Sequence, residues 1–351
     1  MRLGTILTGW TLFGTRVAQA AIGTGPHWPG WKGIQYMFVF GDSYSTVSWA
    51  PTTAPAPTPA NPIGVEWPGV TSVGALQPNW VGYMTNGFNI SNLLAFDYAI
   101  AGNNITGFTS QIQNEFVPTA GQRPESSPWT ADNSVFVSWI GINDINEGED
   151  TASAINLIMQ QQQNLYNLGA RNFVIINMPP WDRSPMGAQI VGLGPKILIW
   201  NAQLAASALA FSLQHADAST LVSVSPLPIP LSTKQTALIR QVFSSWDTIS
   251  TILSNPAHYN VTDHNIIGGG IWQDDLHITS LVHFRLANDL AGYLVSLPAG
   301  PSPSPSPSLS ATSSTVTSLS PSGGLTLTTP GYPAGTAVYH TPSSAPGSSD
   351  A

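Results

Sequence analysis

Tyr36-Met37-Phe38-Val39-Phe40-Gly41-Asp42-Ser43-Tyr44-Ser45 is a run of aromatic, β-branched and long apolar side chains that stops at a glycine and then presents a small hydroxyl residue. Such a run, apolar at every position, predicts a strand buried on both faces. Strands of that kind belong to parallel sheets covered by helices, and ligands in those sheets bind outside the carboxyl ends of the strands. A turn after Gly41 would lift Ser43 out of the sheet at such an end. Ser43 is therefore a candidate nucleophile, and the rest of the chain has to supply a base, a group to orient it, and donors for an oxyanion.

Moving outward, strands and helices alternate. Pro78 to Met84 predicts a short helix, Leu94 to Ile100 a strand, Phe108 to Phe116 a helical piece and Ser134 to Ile140 a buried strand. Asp150 or Thr151 caps a long helix with Ile155, Ile158, Met159, Leu165 and Tyr166 on one face, ended by Gly169. Phe173 to Met178 is another apolar strand, closed by Pro179-Pro180. Lys196 to His215 predicts a helix, Thr220 to Val224 a strand, Thr236 to Leu253 one or two helices, and Ser280 to Leu297 a last helix. The alternation predicts an α/β protein, a three-layer α/β/α sandwich on a central parallel sheet of about five strands. Trp49 to Gly74, rich in Pro, Thr, Ala and Gly, predicts a long loop beside Ser43 and a wall of the binding cleft, or a decorative insertion.

Composition narrows the setting. Of 351 residues 42% are hydrophobic and only 8% charged, against roughly 25% charged in an average soluble domain. With 18 acidic and 10 basic residues the net charge is -8, and no Lys/Arg cluster occurs, so nucleic acid and anionic membrane are poor partners. The chain has no cysteine, which excludes disulfides, thiolate metal sites and a cysteine nucleophile. Arg2, the apolar run from Leu3 to Phe13 and the small-residue site Ala18-Gln19-Ala20 predict a secretory signal over residues 1–20. No later segment has the length and lack of charge of a transmembrane helix. A catalytic domain is expected over residues 21–297. From Pro298 to Ala351 the chain is a Pro/Ser/Thr-rich, low-complexity tail, expected to be disordered and extended. The expected location is extracellular, with association to a cell wall a second possibility.

Three further clusters carry chemistry. In Asp274-Asp275-Leu276-His277, a carboxylate three positions before a histidine can curl back on a tight loop and hold one ring nitrogen while the other takes the serine proton. Asp274 fits that spacing and Asp275 is the alternative. A loop salt bridge, or a metal site with Asp263 and His264, is the competing reading, although no pair has a convincing ligand spacing. Gly141-Ile142-Asn143-Asp144 ends a strand with an amide that can face a developing oxyanion; a turn or helix cap is its ordinary alternative. Gly102, after Tyr98-Ala99-Ile100-Ala101, offers a second donor through its backbone N–H, and the Ser43 N–H a third. The order of the parts along the chain is that of an acyl-transfer site. No Gly-x-Ser-x-Gly elbow occurs.

Gly41-Asp42-Ser43, Gly102, Gly141-x-Asn143-Asp144 and Asp274-x-x-His277 resemble the four blocks of the GDSL, or SGNH, hydrolases. The resemblance implies Ser43 as nucleophile, His277 as base, Asp274 as its orienter, and the Ser43 amide, Gly102 and Asn143 as the oxyanion hole, on a flavodoxin-like fold. Gln77-Pro78-Asn79-Trp80-Val81, Pro128-Trp129, Asn177 to Pro185 and Ser245-Trp246-Asp247 are similar to fungal acetylesterases grouped as carbohydrate esterase family 16. This implies an exo-acting esterase, without cofactor or metal, that removes acetyl groups from hemicellulose-derived oligosaccharides. A longer-chain lipase and a non-catalytic carbohydrate-binding wall protein are the alternatives; a two-carboxylate glycosidase fits less well. Tyr44 and Trp272, with Trp49, are candidates to stack on a sugar, core packing or walling of the cleft being equal alternatives, and Trp181 is a candidate substrate-binding residue that bears on the shape of the acyl pocket. Asn89, Asn104 and Asn260 lie in Asn-x-Ser/Thr sequons and are candidate glycan sites.

Overall fold

Tyr36–Gly41 forms β1, buried from Met37 onward, and the other strands assemble on both sides of it. β2 (Leu94–Asp97) pairs with one edge and β3 (Ser134–Trp139) with the other, with Tyr36 opposite both Leu94 and Ser134. β4 (Asn172–Ile175) pairs with β3, and β5 (Ser219–Val222) with β4. All pairs are parallel and the order is β2-β1-β3-β4-β5, so strand order reverses at β1 and β3, the position where open α/β sheets bind ligands. The structure is a computed structural model describing residues 24–222 and 243–301. The expected signal, the first part of the helix expected over 236–253 and the tail beyond residue 301 lie outside the described residues.

Side chains alternate across the sheet and meet a different helical group on each face. On one face Phe38 packs on Phe116, Trp129 and Phe136, and Phe40 on Phe108 and Phe116. Phe108 belongs to α2 (Ile105–Ser110), which runs into a single π-helical turn, Gln111–Phe116. α4 (Thr151–Asn167) joins this layer and sends Gln162 to the Ser138 hydroxyl at 3.0 Å. α5 (Leu193–Gln214) packs against α4; contrary to the sequence expectation that no later segment has the length and apolarity of a membrane span, this helix has both by length and composition. On the opposite face Trp139 meets Trp80 of α1 (Trp80–Asn86), and α7 (Ser280–Ser296) packs on α1 and on α6 (Ser245–Ser254). The result is the expected three-layer sandwich.

Caps set most helix starts. Asn79 accepts the N–H groups of Val81 and Gly82, Asp150 that of Ser153 and Ser244 that of Asp247, each contributing about 1 kcal/mol. The α4 stripe runs through Ile155, Ile158 and Leu165 as expected, but Gln161 and Gln162 are buried beside them. Strands end earlier than their apolar runs. β2 stops at Asp97 because that buried carboxyl group accepts the N–H groups of Val47 (2.7 Å) and Ala99 (3.1 Å) and turns the chain out of the sheet. β4 stops at Ile175, although Ile176 still donates to Ser138. Pro51 to Gly74 holds no helix, and its only pairing is an isolated bridge between Thr58 and Asn61. At the far end of the domain Gly300 donates to the Trp28 carbonyl (2.8 Å).

Candidate active site

The turn after β1 is held from several directions. Buried Gln111, at the start of the π-helical turn, accepts the Gly41 N–H (2.9 Å) and donates to the Gly41 carbonyl (2.7 Å), standing in for a strand partner where the ladder runs out. A Cβ on Gly41 would sit 2.4 Å from the Trp139 carbonyl oxygen, so no larger residue fits there. The Asp42 carbonyl accepts the N–H groups of Ser45 and Thr46, and its carboxyl oxygen that of Tyr44. Asn79 donates to the carbonyls of Ser45 (2.7 Å) and Thr46 (2.9 Å) while its oxygen caps α1. The same side chain thus starts a helix and fixes the turn that carries Ser43, which is itself nearly buried.

Asp274 to His277 form a closed loop between Gln273, which donates to the His277 carbonyl (2.7 Å), and Met186, whose N–H holds the Asp275 carbonyl (2.8 Å). One oxygen of Asp274 accepts the N–H groups of His277 (2.6 Å) and Leu276 (2.8 Å). Its other oxygen lies 2.7 Å from His277 Nδ1, and His277 Nε2 lies 2.7 Å from Ser43 Oγ. Burial pushes the Asp274 carboxyl up, but the two N–H bonds and the imidazole outweigh it and hold it below its ordinary value. The carboxylate therefore stays ionised and faces Nδ1–H, which leaves the Nε2 lone pair toward the serine hydroxyl. Asp275 is exposed and contributes its backbone carbonyl to the loop's anchorage.

The loops after β2 and β3 meet beside this chain of bonds. Asn143 stands in the first turn of α3 (Ile142–Glu147), and its side-chain amide donates to the Asn103 carbonyl at 2.8 Å. That bond fixes one amide hydrogen and ties Asn143 to the residue after Gly102. Gly102 has φ +80°, and no atom lies within 4 Å of where its Cβ would be, so its backbone faces open space. Gly141, at φ +129°, is a packing glycine: a Cβ would lie 2.3 Å from the Trp200 ring. Asp144 does not cap α3; its carboxylate reaches across to accept the Ile105 N–H of α2 (2.9 Å). Burial raises Asp144 to about 6, and it raises Asp42 to about 7, the Tyr44 N–H only partly offsetting that rise.

Of the readings open to the aromatics, core packing holds and substrate contact does not. Tyr44, Trp181 and Trp272 are each 1% exposed or less and present no face to a sugar. The Trp181 N–H points at Met178 Sδ, and Trp272 is fixed in the backbone bridges flanking the histidine loop. Tyr44 has a different task, since its hydroxyl donates to the Leu276 carbonyl at 2.8 Å and bonds the residue after the nucleophile to the residue before the base. Trp49 is nearly buried too, its N–H on the Pro55 carbonyl (2.9 Å). Among the sequons, Asn89 and Asn260 are exposed, whereas Asn104 caps α2 and donates to Glu147 (2.7 Å). Among the described residues no group of three or more His, Asp or Glu side chains is placed to hold a metal ion.

A model of the family described as GDSL-like lipase/acylhydrolase matches residues 37–290. An acetylesterase from Thermothelomyces thermophilus is 28% identical over 267 residues, covering 69% of this chain and 82% of that protein. Among solved structures, a member of the lipolytic G-D-S-L family from Veillonella parvula DSM 2008 aligns with a TM-score of 0.44 at 13% identity, over 74% of this chain and 97% of that one. A variant of an acetyl xylan esterase from Geobacillus stearothermophilus aligns with a TM-score of 0.41 at 13% identity, over 78% and 96%. The family match begins inside the strand that delivers Ser43 and ends in the helix that follows His277, and on it the chain belongs to the GDSL-like lipases and acylhydrolases, as a carboxylic ester hydrolase.

Proposed function

We propose that the protein is a secreted serine esterase that removes acetyl and other short acyl groups from carbohydrate, through an acyl-enzyme on Ser43. The observation that carries this reading is the unbroken chain Asp274 Oδ2, His277 Nδ1, His277 Nε2, Ser43 Oγ, with 2.7 Å at both joints. His277 Nε2 takes the Ser43 proton as Oγ bonds to the ester carbonyl carbon, and the resulting oxyanion meets the N–H groups of Ser43 and Gly102 and the free amide hydrogen of Asn143. The imidazolium then gives its proton to the departing sugar oxygen. Water, deprotonated by the same nitrogen, attacks the acyl carbon and releases acetate and Ser43.

The acetyl and carbohydrate assignments are supported by the likeness to an acetylesterase, and secretion by the sequence of residues 1–20. Mass spectrometry of acetylated xylan and mannan fragments, before and after incubation, tests the reading. Loss of acetyl groups with wild type and none with Ser43→Ala is expected. A protein that hydrolyses aryl octanoate faster than aryl acetate and leaves the fragments acetylated would overturn it in favour of a longer-chain lipase.

A further inference from the structure

A cavity of about 580 Å³ lies between α6 and α7, away from the loops that carry Ser43 and His277. A second, of about 470 Å³, is lined by Thr46, in the turn that carries Ser43, and by Ala101, directly before Gly102, and falls in the size range of ligand pockets. One wall is the arm leaving the nucleophile turn, from Thr46 to Thr52; the other is Ala99 to Ala101, which leads directly into Gly102. Glu115, on the π-helical turn, lines it as well. Single π turns inside helices recur at functional sites, and this one carries Glu115 and the Gln111 clamp on Gly41 together.

The cavity is built rather than incidental. The buried Asp97 carboxyl group pins both walls, through Val47 N–H on one and Ala99 N–H on the other. The Trp49 ring is locked edge-on against Phe96 and Tyr98 at centroid distances of 5.5 and 5.3 Å. Ser48, at φ +60°, turns the arm and bonds its hydroxyl to the Val70 carbonyl (2.8 Å). The walls thus stand in place before any ligand arrives.

Glu115 decides what the cavity holds. It is half-buried, and its carboxylate has no hydrogen-bond or ion-pair partner among the described residues. An acyl chain filling the space would strip water from that carboxylate and return no donor, which is costly. A sugar ring returns hydroxyl donors to Glu115 and lays its C–H surface on Pro51 and the half-exposed Ile100. We propose that this cavity is a subsite for a sugar ring of the substrate's alcohol portion, with Glu115 accepting its hydroxyls. The proposal rests on the reading of the protein as an esterase of acylated carbohydrate.

Two measurements on wild type, Glu115→Gln and Glu115→Leu test it: calorimetric titration with deacetylated xylo-oligosaccharides, and kcat/KM on acetylated xylo-oligosaccharides, aryl acetate and aryl octanoate. Saturable binding by wild type is expected, weakened about tenfold or more in Glu115→Leu and less in Glu115→Gln, which keeps one acceptor oxygen. The ratio of oligosaccharide to aryl acetate kcat/KM should fall in the same order. Wild type that takes up no oligosaccharide, or Glu115→Leu that binds as wild type does, overturns the subsite. A Glu115→Leu gain on octanoate with no loss on oligosaccharide overturns it in favour of an acyl chain. Binding that depends on Glu115 without acetate release would instead sink the substrate reading and keep the subsite. Acetate release indifferent to Glu115 would do the reverse.

Discussion

Asp274→Asn isolates the electrostatics of the relay from the fold of its loop. The wild-type carboxylate does two separable things: one oxygen accepts the His277 and Leu276 N–H groups, and the other faces His277 Nδ1 at 2.7 Å. An asparagine oxygen continues to accept the two backbone N–H groups, so the loop survives with a stability loss of about 1 kcal/mol. Its amide, a donor, then faces Nδ1 and favours the tautomer with the proton on Nε2. That nitrogen, 2.7 Å from Ser43 Oγ, would then carry a hydrogen where a lone pair is needed. Loss of the wild-type tautomer together with a charge-assisted hydrogen bond costs about 4 to 5.5 kcal/mol of transition-state stabilisation, or roughly 10³ to 10⁴ in kcat. The assay is initial-rate hydrolysis of an aryl acetate at saturating substrate, beside a thermal melt. Asp275→Asn serves as the control and should retain kcat within about twofold, because Asp275 contributes only its backbone carbonyl. A folded Asp274→Asn protein within about tenfold of wild type would refute the reasoning.

Other consequences are open to test. Tyr44→Phe removes the bond to the Leu276 carbonyl but keeps the ring packed on Trp139; kcat should fall about five- to twentyfold with KM little changed and stability down about 1 kcal/mol, whereas a substrate-stacking role would raise KM. Gly141→Ala drives a methyl into the Trp200 ring at a positive φ and should cost about 2 to 4 kcal/mol in a denaturant titration; a cost under about 0.5 kcal/mol would contradict that packing. Burial raises Asp42, Asp97 and Asp144 to about 7, about 8 and about 6 in the fold, while in the unfolded chain they ionise near about 4. Between those values the folded state holds more protons, so the melting temperature should decline from about pH 4 to about pH 8, less steeply in Asp42→Asn. A flat or rising profile would count against these buried carboxyls.

Much of the fold was legible because its signals are local. The apolar runs of β1, β3 and β4 and the Gly/Pro punctuation between them are enough to imply a parallel sheet; Ser43, Gly102 and Asn143 follow its strands, and His277 lies in the loop before the last helix. What escaped are bonds between distant residues. Gln111 reads as one more polar residue on a helix; nothing nearby says that it clamps Gly41. Asn79 is visible as a helix cap, but its grip on Ser45 and Thr46 is not. Sequence leaves Tyr44 and Trp272 open between sugar stacking and core packing, and leaves Trp181 open as a substrate contact, because an aromatic beside a reactive group or after a proline pair looks the same whether its ring faces solvent or fills the core. Strand ends were overrun for a related reason, since β2 ends where Asp97 finds partners in another segment.

The central claim is that Ser43 forms the covalent acyl intermediate, and labelling with a serine-directed aryl phosphonate followed by peptide mass mapping tests it most directly. The account predicts one adduct, on the peptide that carries Ser43, absent in Ser43→Ala and formed far more slowly in His277→Ala. A protein that hydrolyses aryl acetate yet takes no label, or takes it at another residue, would contradict it.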